Sequence, residues 1–132
     1  MPIILLILSL FCLSDFAFAK SAGETEAGIE YLQMKPKFIV NLADQPRKYL
    51  RINVDLMVEG KRSIMKVRKH FPALRHALII LFSEKAEADV QTQEQREKLR
   101  EDALYAVKRT LDKYARNSDG VRDLFFTEFL VQ

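Results

Sequence analysis

From Leu50 to Val58 every second residue is aliphatic (Leu50, Ile52, Val54, Leu56, Val58), with Arg51, Asn53, Asp55 and Met57 between them. Side chains alternate across a strand, so this segment buries one face and turns the other to water. As a helix, the same pattern would scatter its apolar residues around the axis. At Gly60 the period changes: Ile64, Val67, Phe71, Leu74, Leu78 and Leu81 follow at spacings of three and four, one face of a helix near residues 62–83. A half-buried strand running straight into an amphipathic helix predicts an α+β fold, with the helix on the aliphatic face of the sheet.

Pro72 lies inside the helical pattern and lacks the N–H that a continuous helix needs, so a kink or restart is expected there. The end of the helix, Ala77 to Phe82, is apolar all round and needs cover on more than one side. A second helix near residues 93–116 opens on a capping box, Thr92-x-x-Gln95. Leu99, Ala103, Val107, Leu111 and Tyr114 form its buried stripe, with Glu94–Lys98 and Asp112–Arg116 as surface ion pairs. Asn117 to Gly120 is a turn into a last strand, 121–131. Read by simple alternation, that strand sets Phe125, Phe129 and Val131 on one face and Leu124, Phe126 and Leu130 on the other. Two apolar faces predict an inner strand, or one covered by a partner. Upstream, Phe38 to Leu42 is a short strand joined to the alternating one by a turn containing Pro46, an antiparallel hairpin. The expected architecture is a small three-stranded antiparallel or mixed sheet packed against two helices.

Residues 2–13 are apolar apart from Ser9, a run of twelve that is short for a membrane span and right for a signal-peptide core. Ala17-Phe18-Ala19 then offers small residues where a signal peptidase needs them. Residues 1–19 read as a signal peptide or, alternatively, a short membrane anchor; 20–30, with Gly23, Gly28 and three glutamates, as a linker; and 31–132 as the folded domain. Removing 1–19 takes away one charge, Asp15, and raises the net charge from +3 to +4. The one cysteine, Cys12, goes with it, so the mature chain has no disulfide and no thiol nucleophile.

Catalytic constellations are missing. The four glycines stand in the linker and at turns, so no phosphate-cradling loop is present. His70 and His76 are six apart with Pro72 between them, not the i,i+4 pair that grips zinc from one helix face. Glu84, Glu87 and Asp89 sit in a polar loop. No catalytic residue, metal or cofactor is expected. The basic residues from Lys61 to Arg75 could meet phosphates but lack interleaved aromatics for stacking bases, so no nucleic-acid partner is expected. Contact of this run with an anionic membrane surface is the more natural alternative.

Several stretches carry a family resemblance. They are Tyr31-Leu32, Pro36-x-Phe38-x-Val40-Asn41-Leu42 and Tyr49-Leu50, then His70-Phe71-Pro72-Ala73-Leu74-Arg75-His76-Ala77-Leu78-Ile79 on to Leu81 and Ser83. The most specific is the terminal Phe126-Thr127-Glu128-Phe129-Leu130-Val131-Gln132. In this order they resemble the periplasmic domain of the flagellar basal body-associated FliL family. The resemblance implies a stomatin-like (SPFH-like) domain at the inner membrane and a non-enzymatic accessory of the flagellar motor. It further implies assembly as a homo-oligomeric ring around the stator units, with an influence on rotation, swimming or swarming and chemotactic motility. Two features depart from the family: the twelve-residue apolar run is shorter than a full span, and Gln95 stands where glycine is common. They leave open a secreted periplasmic scaffold paralogue with no motor role. Ile79 and Ile80 lie off the helix stripe, and with Arg75 at their rim they are the candidate protein-contact residues.

Overall fold

A computed structural model describes residues 28–132, so the signal or anchor expected over 1–19 and most of the expected linker lie outside the described residues. Strands β1 (Ile29–Gln33), β2 (Phe38–Asn41) and β3 (Tyr49–Glu59) come first. Helices α1 (Lys61–Lys69) and α2 (Phe71–Ser83), a 3₁₀ turn (Glu87–Val90), helix α3 (Gln93–Ala115) and strand β4 (Val121–Val131) follow. The fold is α+β with an antiparallel sheet, as expected, but among the described residues the sheet has four strands and the α-helices number three.

β3 is the spine of the sheet. Its aliphatic face, Leu50 through Val58, is completely buried, as the alternation requires. β4 pairs with it antiparallel over nearly its whole length, from Leu50 opposite Val131 to Val58 opposite Val121. β1 pairs with residues 55–59 and β2 with residues 49–52. Since β4 fills one edge of β3, β1 and β2 share the other edge end to end, joined by residues 34–37 with a cis Lys35–Pro36 bond. β1 is the strand missing from the expected architecture. It takes in Ile29 and Glu30 from the expected linker, and only Leu32 of its five residues is buried. Such a strand shows little apolar pattern and exists because the end of β3 offers an edge.

β4 is an edge strand rather than an inner one: among the described residues it pairs only with β3. Its two apolar faces are resolved by two irregularities, where the register passes over Thr127 and Arg122. Each extra residue transfers the side chains beyond it to the opposite face. Leu124, Phe126, Phe129 and Val131 therefore all stand opposite Leu56, Val54, Ile52 and Leu50 on the helix-covered side, and Phe125 and Leu130 on the open side. The assignment of Phe125 to the face of Phe129 is thus corrected. Midway along β4, the Leu124 N–H donates to the Asp123 carboxylate at 2.8 Å and the Leu124 carbonyl accepts from Arg100 at 3.0 Å. Side chains on backbone groups discourage edge-to-edge aggregation.

The helical segment expected over 62–83, with a kink or restart at Pro72, is two helices that meet at His70. Pro72, in the first turn of α2, is tolerated there because its missing N–H has no intrahelical partner. His70 serves both ends: its N–H reaches the Lys66 and Val67 carbonyls, and its own carbonyl accepts from Leu74 at 3.0 Å. Val67, Leu74 and Leu78 are fully buried, and Ile64, Phe71 and Leu81 pack partly against them. Phe82, four residues beyond Leu78 on the same face, is buried edge-on against Phe38 and Phe126, ring centroids 5.3 and 6.0 Å away. In α3 the capping box forms both its bonds, 3.2 Å into the Thr92 hydroxyl and 3.1 Å into the Gln95 amide oxygen. Leu99, Ala103, Val107 and Leu111 are buried as expected, but Tyr114 is 57% exposed. A phenol in the last helical turn can lay its ring on apolar surface and keep its hydroxyl in water. Neither Glu94–Lys98 nor Asp112–Arg116 approaches to ion-pair distance; Arg116 has left the helix at φ 71°.

Candidate protein-contact surface

The helices cover one face of the sheet, and their own outer side carries an open groove of about 500 Å³ between α2 and α3. Its floor is built from small residues, Ala73 and Ala77 of α2 and Ala106 of α3, which leave the helices a hollow that larger side chains would fill. Its walls are apolar and exposed: Ile80 at 47%, Tyr105 at 67% and Tyr114 at 57%. The rim is polar, with His76, Asp102, Arg109 and Lys113; the Lys113 ammonium lies 5.0 Å over the Tyr114 ring. Apolar side chains inside a polar rim are the arrangement of a protein-contact patch.

The three residues singled out from the sequence part company here. Ile80 lines the groove. Ile79, 38% exposed, follows Arg75 by four residues and so shares its side of α2, away from α3. Arg75 lies outside the groove, on the side of α2 that meets the connection between β1 and β2. Its guanidinium donates to the Pro36 carbonyl at 2.6 Å and to the Lys37 carbonyl at 3.3 Å, and stacks 4.4 Å over the Phe38 ring. It ties α2 to the connection between β1 and β2. Two charge-assisted bonds and a cation–π contact predict that Arg75→Ala lowers unfolding stability by roughly 1–3 kcal/mol. Urea unfolding at neutral pH measures it, and an unchanged midpoint would return Arg75 to the surface role.

Tyr105 and Tyr114 were not recognised as contact residues in the sequence. Tyr105 lies two positions from Ala103, outside the buried stripe, and an exposed large aromatic off the stripe was the available signal. Nothing in the linear pattern brings it opposite Ile80; the packing of α2 on α3 does.

On the opposite side of the molecule the sheet face is open. Arg51, Asn53 and Asp55 of β3 form a polar row, flanked by the exposed Tyr31 and Phe125, whose rings are 6.3 Å apart. Glu128 of β4 is gripped by Lys37 and stands 2.9 Å from Arg51 Nε, close enough for charge attraction though outside hydrogen-bond geometry. The hydrogen bond from Lys37, with the Arg51 and Lys37 charges behind it, holds the Glu128 carboxyl below its ordinary range. Arg100 does the same for Glu97, while its own guanidinium is held more firmly protonated by Glu97 and Asp123. These are structural pairs. Among the described residues, no group of three or more His, Cys, Asp or Glu has metal-binding geometry, and no helix is long and apolar enough to cross a membrane.

Residues 31–132 match the model of the family described as "Flagellar basal body-associated protein FliL". The chain is similar to the "Flagellar protein FliL" of Aquifex aeolicus (strain VF5), with 36% identity over 115 residues, covering 86% of this chain and 68% of the relative.

Proposed function

The chain belongs to the flagellar basal body-associated FliL family, and from that premise we propose that it is a non-enzymatic accessory of the flagellar motor that acts by protein contact. The observation that carries the reading is the α2–α3 groove, where Ile80, Tyr105 and Tyr114 present apolar surface uncovered by any described residue. Its place in this reading is the periplasmic side of the inner membrane, at the basal body. Its partners are the stator units and further copies of itself in a ring, as the family's stomatin-like character implies. A ring needs a contact between unlike surfaces of neighbouring subunits, and the groove supplies one of the two.

Deletion of the chain is expected to impair swimming or swarming while leaving flagella in place. Normal motility in both liquid and viscous media would count against the motor reading, and leave the secreted scaffold. At the residue level, Ile80→Ser is expected to leave unfolding stability within about 0.5 kcal/mol of the parent, as a surface substitution does. It should reduce motility, and sedimentation velocity then separates the occupants. Loss of self-association points to a neighbouring copy in the groove, and retained self-association with lost motility points to a stator component. A stability loss of several kcal/mol would make Ile80 a core residue and remove the groove from the argument.

A further inference from the structure

Helix α1 takes no part in the groove, and its charge is one-sided. It carries Lys61, Arg62, Lys66, Arg68 and Lys69 and no acidic residue. The exposed positions are Lys61, Arg62, Met65, Arg68 and Lys69. At 100° per residue these five fall within an arc of roughly 120°, with Met65 near its centre and two cations on either side. Val67 is buried and Ser63 and Ile64 are half-buried on the opposite side, so the helix is fastened to the fold by its other face. Met65, at 71%, is the most exposed large apolar side chain among the described residues. Arg68 is paired with Glu30, but Lys61, Arg62 and Lys69 have no carboxylate within ion-pair distance among the described residues. Lys61 and Arg62 also sit in the first turn, where the helix dipole disfavours cations. Stability of the isolated domain does not account for their being there.

The path of the chain supplies the occupant. The described fold begins at Gly28, whose carbonyl accepts the Gly60 N–H at 2.9 Å, immediately before α1. Whatever precedes Gly28 therefore meets the domain at the N-terminal end of this basic helix. In the sequence, the apolar run over 2–13 ends fifteen residues upstream of Gly28. That length of chain reaches at most about 50 Å, and far less unless fully extended. In the anchor reading of residues 1–19, that connection holds α1 beside the membrane surface. We propose that the Lys61–Arg62–Arg68–Lys69 face of α1 binds the anionic headgroups of a lipid bilayer, with Met65 entering the headgroup layer. Near an anionic surface each basic side chain strengthens binding about fivefold, so three unpaired ones together give about a hundredfold. A single exposed methionine adds depth without making insertion permanent.

The test uses the full chain and compares vesicles of pure phosphatidylcholine with vesicles containing 30% phosphatidylglycerol. The apolar run contributes to both, so the ratio of the two partition coefficients isolates the contribution of charge. The chain has no tryptophan, which makes Met65→Trp a single fluorescent reporter. The ratio is expected to be on the order of a hundred at low salt. It should fall to a few in the Lys61→Gln/Arg62→Gln/Lys69→Gln variant and in 0.5 M salt, with the Met65→Trp emission blue-shifted on the anionic vesicles only. A triple variant that keeps the parental ratio, or a Met65→Trp emission unmoved by anionic vesicles, overturns the proposal. So does heparin competing for the protein while vesicles give no blue shift, because the face then takes soluble polyanions rather than a bilayer. The substituted residues are exposed, and an unchanged melting temperature confirms that the variant tests the surface.

Discussion

Replacing Phe82 by alanine is expected to lower the free energy of unfolding by about 3–5 kcal/mol, the cost of deleting a buried aromatic whose surroundings cannot collapse. Phe82 is wholly inaccessible, and its ring is the hub of an edge-on chain from Phe38 of β2 through Phe82 of α2 to Phe126 of β4. The loss therefore removes contacts from three elements, and the rigid strands on either side leave a cavity. Chemical denaturation followed by far-UV circular dichroism reads the effect. A loss below about 1.5 kcal/mol, the range of a tolerated hydrophobic swap, would show that the helix can settle onto the sheet. Ile80→Ser makes the contrast: the two residues are two apart on one helix, yet their expected effects differ severalfold because only one of them faces the sheet.

Gly120→Ala is the second large effect, at roughly 2–4 kcal/mol, summing backbone strain and overpacking. Gly120 has φ 89°, a region that side chains disfavour, and it leads directly into β4. A Cβ there would lie 2.6 Å from the Glu59 carbonyl oxygen and would also collide with the Ser63 side chain. The Ser63 hydroxyl can rotate away, but its Cβ, 2.4 Å from the added methyl, moves only with the start of α1. The Glu59 carbonyl cannot rotate away, because it belongs to the last residue of β3, whose own N–H donates to the Gly120 carbonyl at 2.8 Å. Relief must come from moving the β3–β4 pair or the start of α1. Gly60 is the control: it has φ 91° but open space where its Cβ would go, so alanine there meets the conformational cost alone. Equal losses at Gly60 and Gly120, measured by the same unfolding experiment, would show that close packing contributes nothing at Gly120.

Much of the fold was legible in local pattern. The alternation of β3, the three–four spacing of α1 and α2, the restart at Pro72 and the capping box at Thr92 all appear where the residues place them. The exposure of Ile79 and Ile80 was legible too, since two isoleucines off a defined stripe cannot share its cover. β1 was not, because a five-residue strand with one buried side chain carries no period of its own. Nor was the role of Arg75, whose acceptors at Pro36 and Lys37 lie 39 and 38 residues away in sequence. Its nearness to Ile79 along the helix was the local fact, and the carbonyls beneath it were the decisive one.

Periodicity is a property of neighbours in the chain, set by 3.6 residues per helical turn and two per strand repeat, so the sequence by itself determined the strongly patterned segments, β3 and the helices, and the main stripe that each must bury. It could determine this for β3 because an unbroken alternation leaves no freedom. In β4 the extra residues at Thr127 and Arg122 break the count, and only the register against β3 tells where each break falls. A slip of one residue exchanges the faces, so the burial of Leu124 and Phe126 and the exposure of Phe125 and Leu130 were decided by tertiary pairing. The same holds for the groove. The sequence supplied Ile80, Tyr105 and Tyr114 as apolar residues on two helices, but the way α2 lies on α3 brought them to one surface. That packing depends on contacts between residues far apart in the chain, which no local pattern encodes.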